Sequence, residues 1–504
     1  MTRFAFSLLL AFAVLLGDAR AGDDAPGRRV LQLSLPKAIR FALAKNFSLR
    51  AQKFGPKISK ENLRSAFGKF DPLLDVTYLH GTDVTRDELV RDTLSDTIRR
   101  VGVGSSSEDD ALSVGVSGIT SWGMSYDVGL TARRHNTGIA TSIGDLYTHE
   151  VTMSLTQPLL RGAGTDVNLA GVRTARNNLR ISDWALKDRI ISVITDTIVV
   201  YNDLYFTIQN LDVARRSRAL AQQLLEDNKK RLNAGIMIPL DVTTAQSEVA
   251  SREEAVIQAE RDVKDQENFL KQLVTDDLIA LIGTDVEITP PKAPNYLENV
   301  IAGVREALEL RPDYREAKLN IENQKITVVV QKNALLPQLD LNVSLSLLGI
   351  ADDFFESASR ITSRDQHAWS AGAVFRLPLG NRDALGKYNA ATLAAAQLLV
   401  QLQQLEQNII VLIDNANGAV VTAKKRIDAT QEGTRLAKES LDAGQKRLAA
   451  GTISVFDVLQ LQRDYSQAET AELRARADYN QAIARYQQQT GTTLRVHKVS
   501  TMEE

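Results

Sequence analysis

The sequence predicts a mainly α fold with a β-barrel part, built from two tandem repeats of helix, strand, strand and long helical hairpin. Three observations carry that expectation. Residues 230–246 (KRLNAGIMIPLDVTTAQ) and 446–462 (KRLAAGTISVFDVLQLQ) repeat one phrase in register, 216 positions apart. Two stretches, 166–232 and 384–448, run 67 and 65 residues without a proline. Runs of strict apolar and polar alternation end at a proline shortly before each stretch.

The elements follow in order along the chain. Residues 1–21 read as a signal peptide: Arg3 supplies the positive end, Phe4 to Gly17 an apolar run, and Ala19-Arg20-Ala21 a cleavage pattern. The run is too short for a stable span, and a buried N-terminal helix is the other reading. The first repeat then occupies 22–272. It places strands near 73–82 and 149–157, an extracellular insertion at 83–148, and long helices at 166–232 and 240–272. Residues 273–300, with Pro290, Pro291 and Pro294, read as a linker or equatorial segment. The second repeat occupies 301–495, with strands near 338–347 and 369–377 and long helices at 384–448 and 455–490. A tail, 496–504, ends the chain.

Each assignment rests on a period. Ile191, Ile194, Ile198, Tyr201, Tyr205 and Ile208 alternate by three and four, which is helical. If continuous, each long stretch forms a helix about 100 Å long at 1.5 Å per residue. Val242, Val249, Val256, Val263 and Leu270 form a row of period seven, as do Leu461, Ala468, Ala475 and Ala482. That period implies a left-handed supercoil. Each repeated phrase is then the turn of a helical hairpin. Gly235 and Gly451 suit the helix stop, and Pro239 and Asp241 suit the restart.

A second repeat relates 42–76 to 307–341 at an offset of 265, pairing Arg50 with Arg315, Pro72 with Pro337, and Asp75 with Asp340. Beyond the proline the sequence takes period two. Leu339, Leu341, Val343, Leu345 and Leu347 interleave with Asp340, Asn342, Ser344 and Ser346. Val151, Met153 and Leu155 do the same with Thr152, Ser154 and Thr156. Within 83–148, ALSVGVSGI (111–119) and GMSYDVGL (123–130) also alternate. They read as a hairpin extending the barrel outward, the other reading being two further strands per chain within the membrane.

Such two-faced strands fit a membrane only as a closed barrel. Four per chain cannot close, whereas three chains would supply twelve. A soluble sandwich packed on helices is the alternative. The charge balance, 60 basic against 62 acidic residues, gives no nucleic-acid footprint. The chain has no Cys and only five scattered His, which excludes disulfides and thiolate metal sites. No catalytic constellation, cofactor motif or metal cluster stands out, so no enzyme is expected. GAGT (162–165) before a helix suits an anion or a simple strand-to-helix turn.

The duplicated hairpin, the phrase RLxAGxxxxxDV at both turns and the proline-ended strands resemble TolC-type outer-membrane efflux proteins. LSLPKAIRFALAKNFSLR (33–50) and RYQQQTGTTL (485–494) are similar to that family's first and last helices. The resemblance implies a homotrimer with a 12-stranded β-barrel in outer-membrane lipid and a 12-helix α-barrel in the periplasm. It also implies two partners, a periplasmic adaptor (membrane fusion) protein and an inner-membrane transporter. The chain would be the exit duct of a tripartite efflux or type I secretion system. A structural or adhesive spacer is the rival reading.

The resemblance further implies that the turns face the adaptor. Arg231, Leu232, Gly235, Arg447, Leu448 and Gly451 are therefore the candidate docking residues. Simple helix stops and solvated end charges are the other reading. Asp241 and Asp457 suit helix N-termini. Asp457 also matches one acidic position that rings the family's periplasmic entrance, while the second such position is Gln460. The family's Tyr and Arg latch positions fall at Leu448 and Ile453. A weaker gate is expected, held by apolar contacts at Leu448, Ile453 and Val455.

Overall fold

The computed structural model describes residues 30–85, 89–92, 97–100, 105–137, 144–292, 296, 299–364 and 366–499. The expected signal segment lies outside the described residues, as do parts of 83–148, of the linker and of the tail.

In chain order the first elements are β1 (Val30–Leu33), α1 (Leu35–Lys45), α2 (Phe47–Gln52), α3 (Phe54–Phe67) and β2 (Leu73–Thr85). Then come β3 (Leu89–Asp92), β4 (Thr97–Arg100), β5 (Ser105–Ile119), β6 (Ser125–Thr137) and β7 (Asp145–Pro158). The first hairpin follows: α4 (Thr165–Asn168), α5 (Ala170–Asn233) and α6 (Pro239–Val274). Next are β8 (Asp285–Ile288), α7 (Val300–Leu310), α8 (Pro312–Ala334), β9 (Gln338–Ala351), α9 (Phe354–Ser363) and β10 (His367–Arg376). The second hairpin is α10 (Arg382–Ala449) and α11 (Val455–Thr490), and α12 (Thr493–Val496) closes the chain. The long stretches are thus continuous helices of 64 and 68 residues.

The chain forms two compact units. One comprises the described residues up to Asn46 with Asp196–Asn295 and Thr422–Gln481. Its core uses the expected seams: Ile198 and Tyr201 on α5, and Val242, Val256, Val263 and Leu270 on α6, are buried. The segment read as linker also contributes structure here. β8 pairs parallel with β1, Val30 opposite Asp285 through Leu33 opposite Ile288. Tyr201 fixes that pair by donating its hydroxyl to the carbonyls of Thr289, at 2.7 Å, and Leu33, at 3.1 Å.

The other unit comprises Phe47–Thr195, Tyr296–Val421 and the described residues from Ala482. Ala307, Tyr314, Ile409 and Ile413 are buried together where α7, α8 and α10 pack. Tyr314 donates to Glu406 at 2.7 Å, and burial, then that carboxylate, push its phenol up to about 12. Gly303 lies so close to the Tyr486 hydroxyl that a Cβ would collide with it.

This unit also holds an antiparallel sheet of six strands in the order β10-β9-β7-β6-β5-β2. Here the structure corrects the sequence reading of four strands per chain and an outward insertion. β2 pairs with β5 along its whole length, from Leu73 opposite Ser117 to Thr85 opposite Ser105. β6 then pairs with both β5 and β7. The reason is the turn between β5 and β6. It closes through Thr120 N to Met124 O at 2.8 Å, and Gly164 N, beside the start of α4, donates to Trp122 O at 3.0 Å. Gly123 sits there at φ +100°, where a Cβ would strike the Gly162 carbonyl and the Asn168 side chain. The hairpin therefore starts at the helical end of the sheet.

Register assigns every side chain to a face. One face carries Leu74, Val76 and Tyr78, then Leu112, Val114 and Val116, then Val128 and Leu130. It continues through Val151, Met153 and Leu155, then Val343, Leu345 and Leu347, and ends with Trp369, Ala371 and Ala373. The opposite face carries Thr77, Ser113, Thr131, Thr152, Ser344, Ser346 and Ser370. At the end opposite the β5–β6 turn, the apolar face ends in a polar rim. There Asp110 accepts from Tyr78 and pairs with His80, each at 2.8 Å, and Arg134 reaches Asp145 at 3.1 Å. Between β9 and β10, α9 lies on this face. His149 bonds Ser357 at 2.8 Å and meets Phe354 edge-on, with ring centroids 4.6 Å apart.

Candidate functional site at the hairpin tips

Both turns use the same backbone bonds. Gly235 N donates to Leu232 O and Ile236 N to Arg231 O, each at 2.9 Å. Gly451 N donates to Leu448 O at 3.1 Å and Thr452 N to Arg447 O at 2.9 Å. With Gly235 and Gly451 at φ +74° and +73°, each turn is a Schellman helix stop. The sequence signal was glycine at the position that must be left-handed.

Leu448 is buried with Leu441, Val455, Val458 and Leu459, and Ile453, Leu461, Leu224 and Met237 pack on that cluster. Leu232 packs on Leu225, Val242 and Ala245. Leu448 closes the core beneath the second turn, while Leu232 is half-buried beneath the first. Val455 belongs to the buried cluster around Leu448, and Ile453 is half-buried against it. Arg231 donates to the Leu448 carbonyl at 3.1 Å, tying the first turn to the second. Arg447, Gly235 and Gly451 remain exposed.

The exposed apolar residues at the tips are ones the sequence reading missed. Ile236 is 78% exposed and Leu240 67%, and Ile238 and Phe456 are also open. The available signal was the run GIMIPL, strongly apolar for a turn.

Asp457 stands exposed in a capping box. Its carboxylate accepts Ser454 Oγ at 2.7 Å and Ser454 N at 3.0 Å, and Asp457 N donates back to Ser454 Oγ at 3.2 Å. Those bonds, the hydroxyl's first, hold its carboxyl below the ordinary range. Gln460 is exposed and donates to Asp464 at 2.8 Å. Asp241 lies in the first turn of α6, where its backbone N donates to Ile238 O at 3.2 Å.

Above the tips an ion cluster joins three helices. Glu248 on α6 accepts Arg463 of α11 at 2.8 Å and 3.1 Å and Arg252 Nε at 3.0 Å, and Arg252 Nη2 lies 2.9 Å from the same carboxylate as an ion pair. Arg252 also reaches Ser217 on α5, which accepts Ser466 of α11 at 3.0 Å. Burial pushes the Glu248 carboxyl up, but the two guanidiniums outweigh it and hold it below the ordinary range. A few residues before the second turn, a Cβ on Gly444 would collide with Leu461, so α10 and α11 run close together here.

Among the described residues, His80, Glu108 and Asp110 have the spacing of cation ligands. Asp110 is already engaged by Tyr78, His80 and Arg134.

Residues 121–275 and 303–492 match the outer membrane efflux protein family. The outer membrane efflux protein BepC of Brucella suis is 23% identical over 339 residues, 66% of this chain and 69% of that protein. The outer membrane protein TolC of Vibrio cholerae is 21% identical over 63% of this chain and 72% of its own length. Among solved structures, the CmeC outer membrane channel of Campylobacter jejuni aligns with a TM-score of 0.64. That alignment covers 91% of this chain and 86% of CmeC at 16% identity, which supports the fold. With the match taking in both helical hairpins and strands β6, β7, β9 and β10, the chain belongs to the outer membrane efflux protein family, proteins of the outer membrane whose helical tube lies in the periplasm.

Proposed function

We propose that three copies of this chain form the exit duct of a tripartite efflux or type I secretion system. In this reading the apolar face of the sheet meets lipid, and the Ser- and Thr-rich face lines a watery lumen. The observation that carries it is the exposed apolar face running across all six strands, from Tyr78, 66% exposed, to Trp369, 72% exposed. A soluble monomer rarely leaves so broad a patch in water. Leu339 to Leu347, tilted by about 40°, rise roughly 20–25 Å, which suits an apolar band of about 25 Å. No described helix is long and apolar enough to cross a membrane, so the crossing falls to the sheet.

Exposed Leu393, Val400 and Val411 on α10 suit burial against the next copy. The tips meet the periplasmic adaptor through Ile236, Ile238, Leu240 and Phe456, with Gly235 and Gly451 allowing close approach and Arg447 adding charge. An inner-membrane transporter supplies the energy. Asp457 from three copies forms a ring at the entrance that favours cations, and with Gln460 beside it the ring binds them weakly.

Membrane fractionation with heat-modifiable gels, followed by recording in planar bilayers, tests this reading. A heat-sensitive outer-membrane oligomer that conducts ions is expected. Recovery as a soluble periplasmic monomer contradicts it.

A further inference from the structure

We infer that the barrel contains eighteen strands, six from each of three chains, with a lumen wider than four strands per chain allow. The inference rests on the duct reading above and concerns its size. The six strands are joined in one register without a break, and among the described residues β2 and β10 each pair on one side only. Six strands fall short of the eight that form the smallest membrane barrels, so both edges need a partner. The occupant of each edge is another copy of this chain. β2 leaves the helical end of the sheet and β10 returns to it, so β2 of one copy beside β10 of the next is antiparallel, like every other pair in the sheet.

The extra pair is part of the wall rather than an appendage. Leu112, Val114 and Val116 continue the apolar face without interruption between β2 and β6. Ser113 on the other face bonds Thr131 at 3.1 Å. If the hairpin stood outside the membrane, those three apolar side chains would face water. The family match begins at residue 121, so β6, β7, β9 and β10 lie within it while β2 and β5 precede it.

The consequence is width. With strands about 4.8 Å apart and tilted about 40°, eighteen strands give a backbone diameter of about 36 Å, against about 24 Å for twelve. Before side chains are counted, the cross-section grows about 2.3-fold. Small residues on the inner face, including Gly115, Gly129, Ser344 and Ser370, leave that width open. Solutes or unfolded chains too bulky for a twelve-stranded mouth would pass this one.

The chain has no cysteine, so pairs can be introduced without background. The full-length protein is expressed in outer membranes with Val76→Cys and Val114→Cys, or with Thr77→Cys and Ser370→Cys, and crosslinked by short bismaleimides. Native mass spectrometry counts the subunits. Expected are a trimer, an intrachain link between β2 and β5, and interchain links between β2 and β10 that build covalent trimers. Polyethylene glycol exclusion from the outer side should show a cut-off diameter about 1.5-fold that of a twelve-stranded barrel. A conducting trimer without the β2–β5 link overturns the six-strand wall while leaving the duct intact. A dimer overturns the count of eighteen, since two copies close at twelve. A monomer with no interchain link overturns the duct reading itself.

Discussion

Replacing Glu248 with alanine should loosen the two hairpin tips more than any other single change near them. The Glu248 side chain is 11% exposed and that of Arg252 is 8% exposed, while Arg463 is 42% exposed. Removing the carboxylate strands Arg252 as an unpaired buried charge, which costs about 3–5 kcal/mol. Removing Arg463 instead leaves Arg252 paired and costs about 1–3 kcal/mol, the range for a lost charged hydrogen bond. Replacing Glu248 and Arg252 together by methionine removes both charges and should recover most of the loss, because a buried pair is roughly neutral against apolar side chains. The assay is hydrogen exchange of backbone amides around Leu224–Val249 and Leu441–Ser466 in the assembled protein. At tenfold per 1.4 kcal/mol, Glu248→Ala should speed exchange by about a hundredfold to a few thousandfold. Equal effects from Glu248→Ala and Arg463→Ala, or no rescue by the double methionine variant, would refute the role of the buried charge.

Three further outcomes follow from the same geometry. Gly235→Ala and Gly451→Ala force a side chain into the left-handed region and should each cost about 1 kcal/mol, read as a lower thermal midpoint of the oligomer. Gly349→Ala should detach α9 from the sheet, since a Cβ there meets the Ser357 carbonyl and the Ile361 backbone N rather than a movable side chain. Protease cleavage within Phe354–Ser363 would report it, and unchanged resistance would count against the packing. The Glu248 carboxyl lies below its ordinary 4.5 when folded, so its contribution is fully present above that value and is lost as pH falls through the folded one. Glu248→Gln should flatten this acid-side decline in thermal stability between about pH 5 and 3.

Local period made much of the molecule legible. Proline-free stretches with spacings of three, four and seven gave helices whose ends fall within a few residues of Ala170–Asn233, Pro239–Val274 and Arg382–Ala449. Gly235 and Gly451 were readable as helix stops because a left-handed residue has a residue-type signature. Alternation in 111–130 was also readable, but its place was not. What brings that hairpin into the sheet is the tie from Gly164 to Trp122, a contact across 42 positions. The inward packing of Leu448 and Leu232 escaped for a related reason, since an apolar residue beside a turn looks alike whether it faces a partner or its own core. The Glu248 cluster joins helices far apart in sequence, and no spacing announces it. β1 and β8 are four residues each, too short for a period to emerge. α9 did carry a local signal, since Asp353 accepts from Phe355 N and Glu356 N at 2.9 Å as its cap.

The account stands or falls on the two faces of the sheet, and cysteine scanning along Val151–Thr156 of β7 tests them most directly. Each single-cysteine protein is placed in lipid vesicles and exposed to a membrane-impermeant thiol reagent and, separately, to a lipid-dissolved quencher of an attached fluorophore. Thr152, Ser154 and Thr156 should react with the aqueous reagent and resist the quencher, while Val151, Met153 and Leu155 should do the reverse. Aqueous labelling of all six positions alike would mean that the apolar face never meets lipid, and this chain would then not be part of a pore wall.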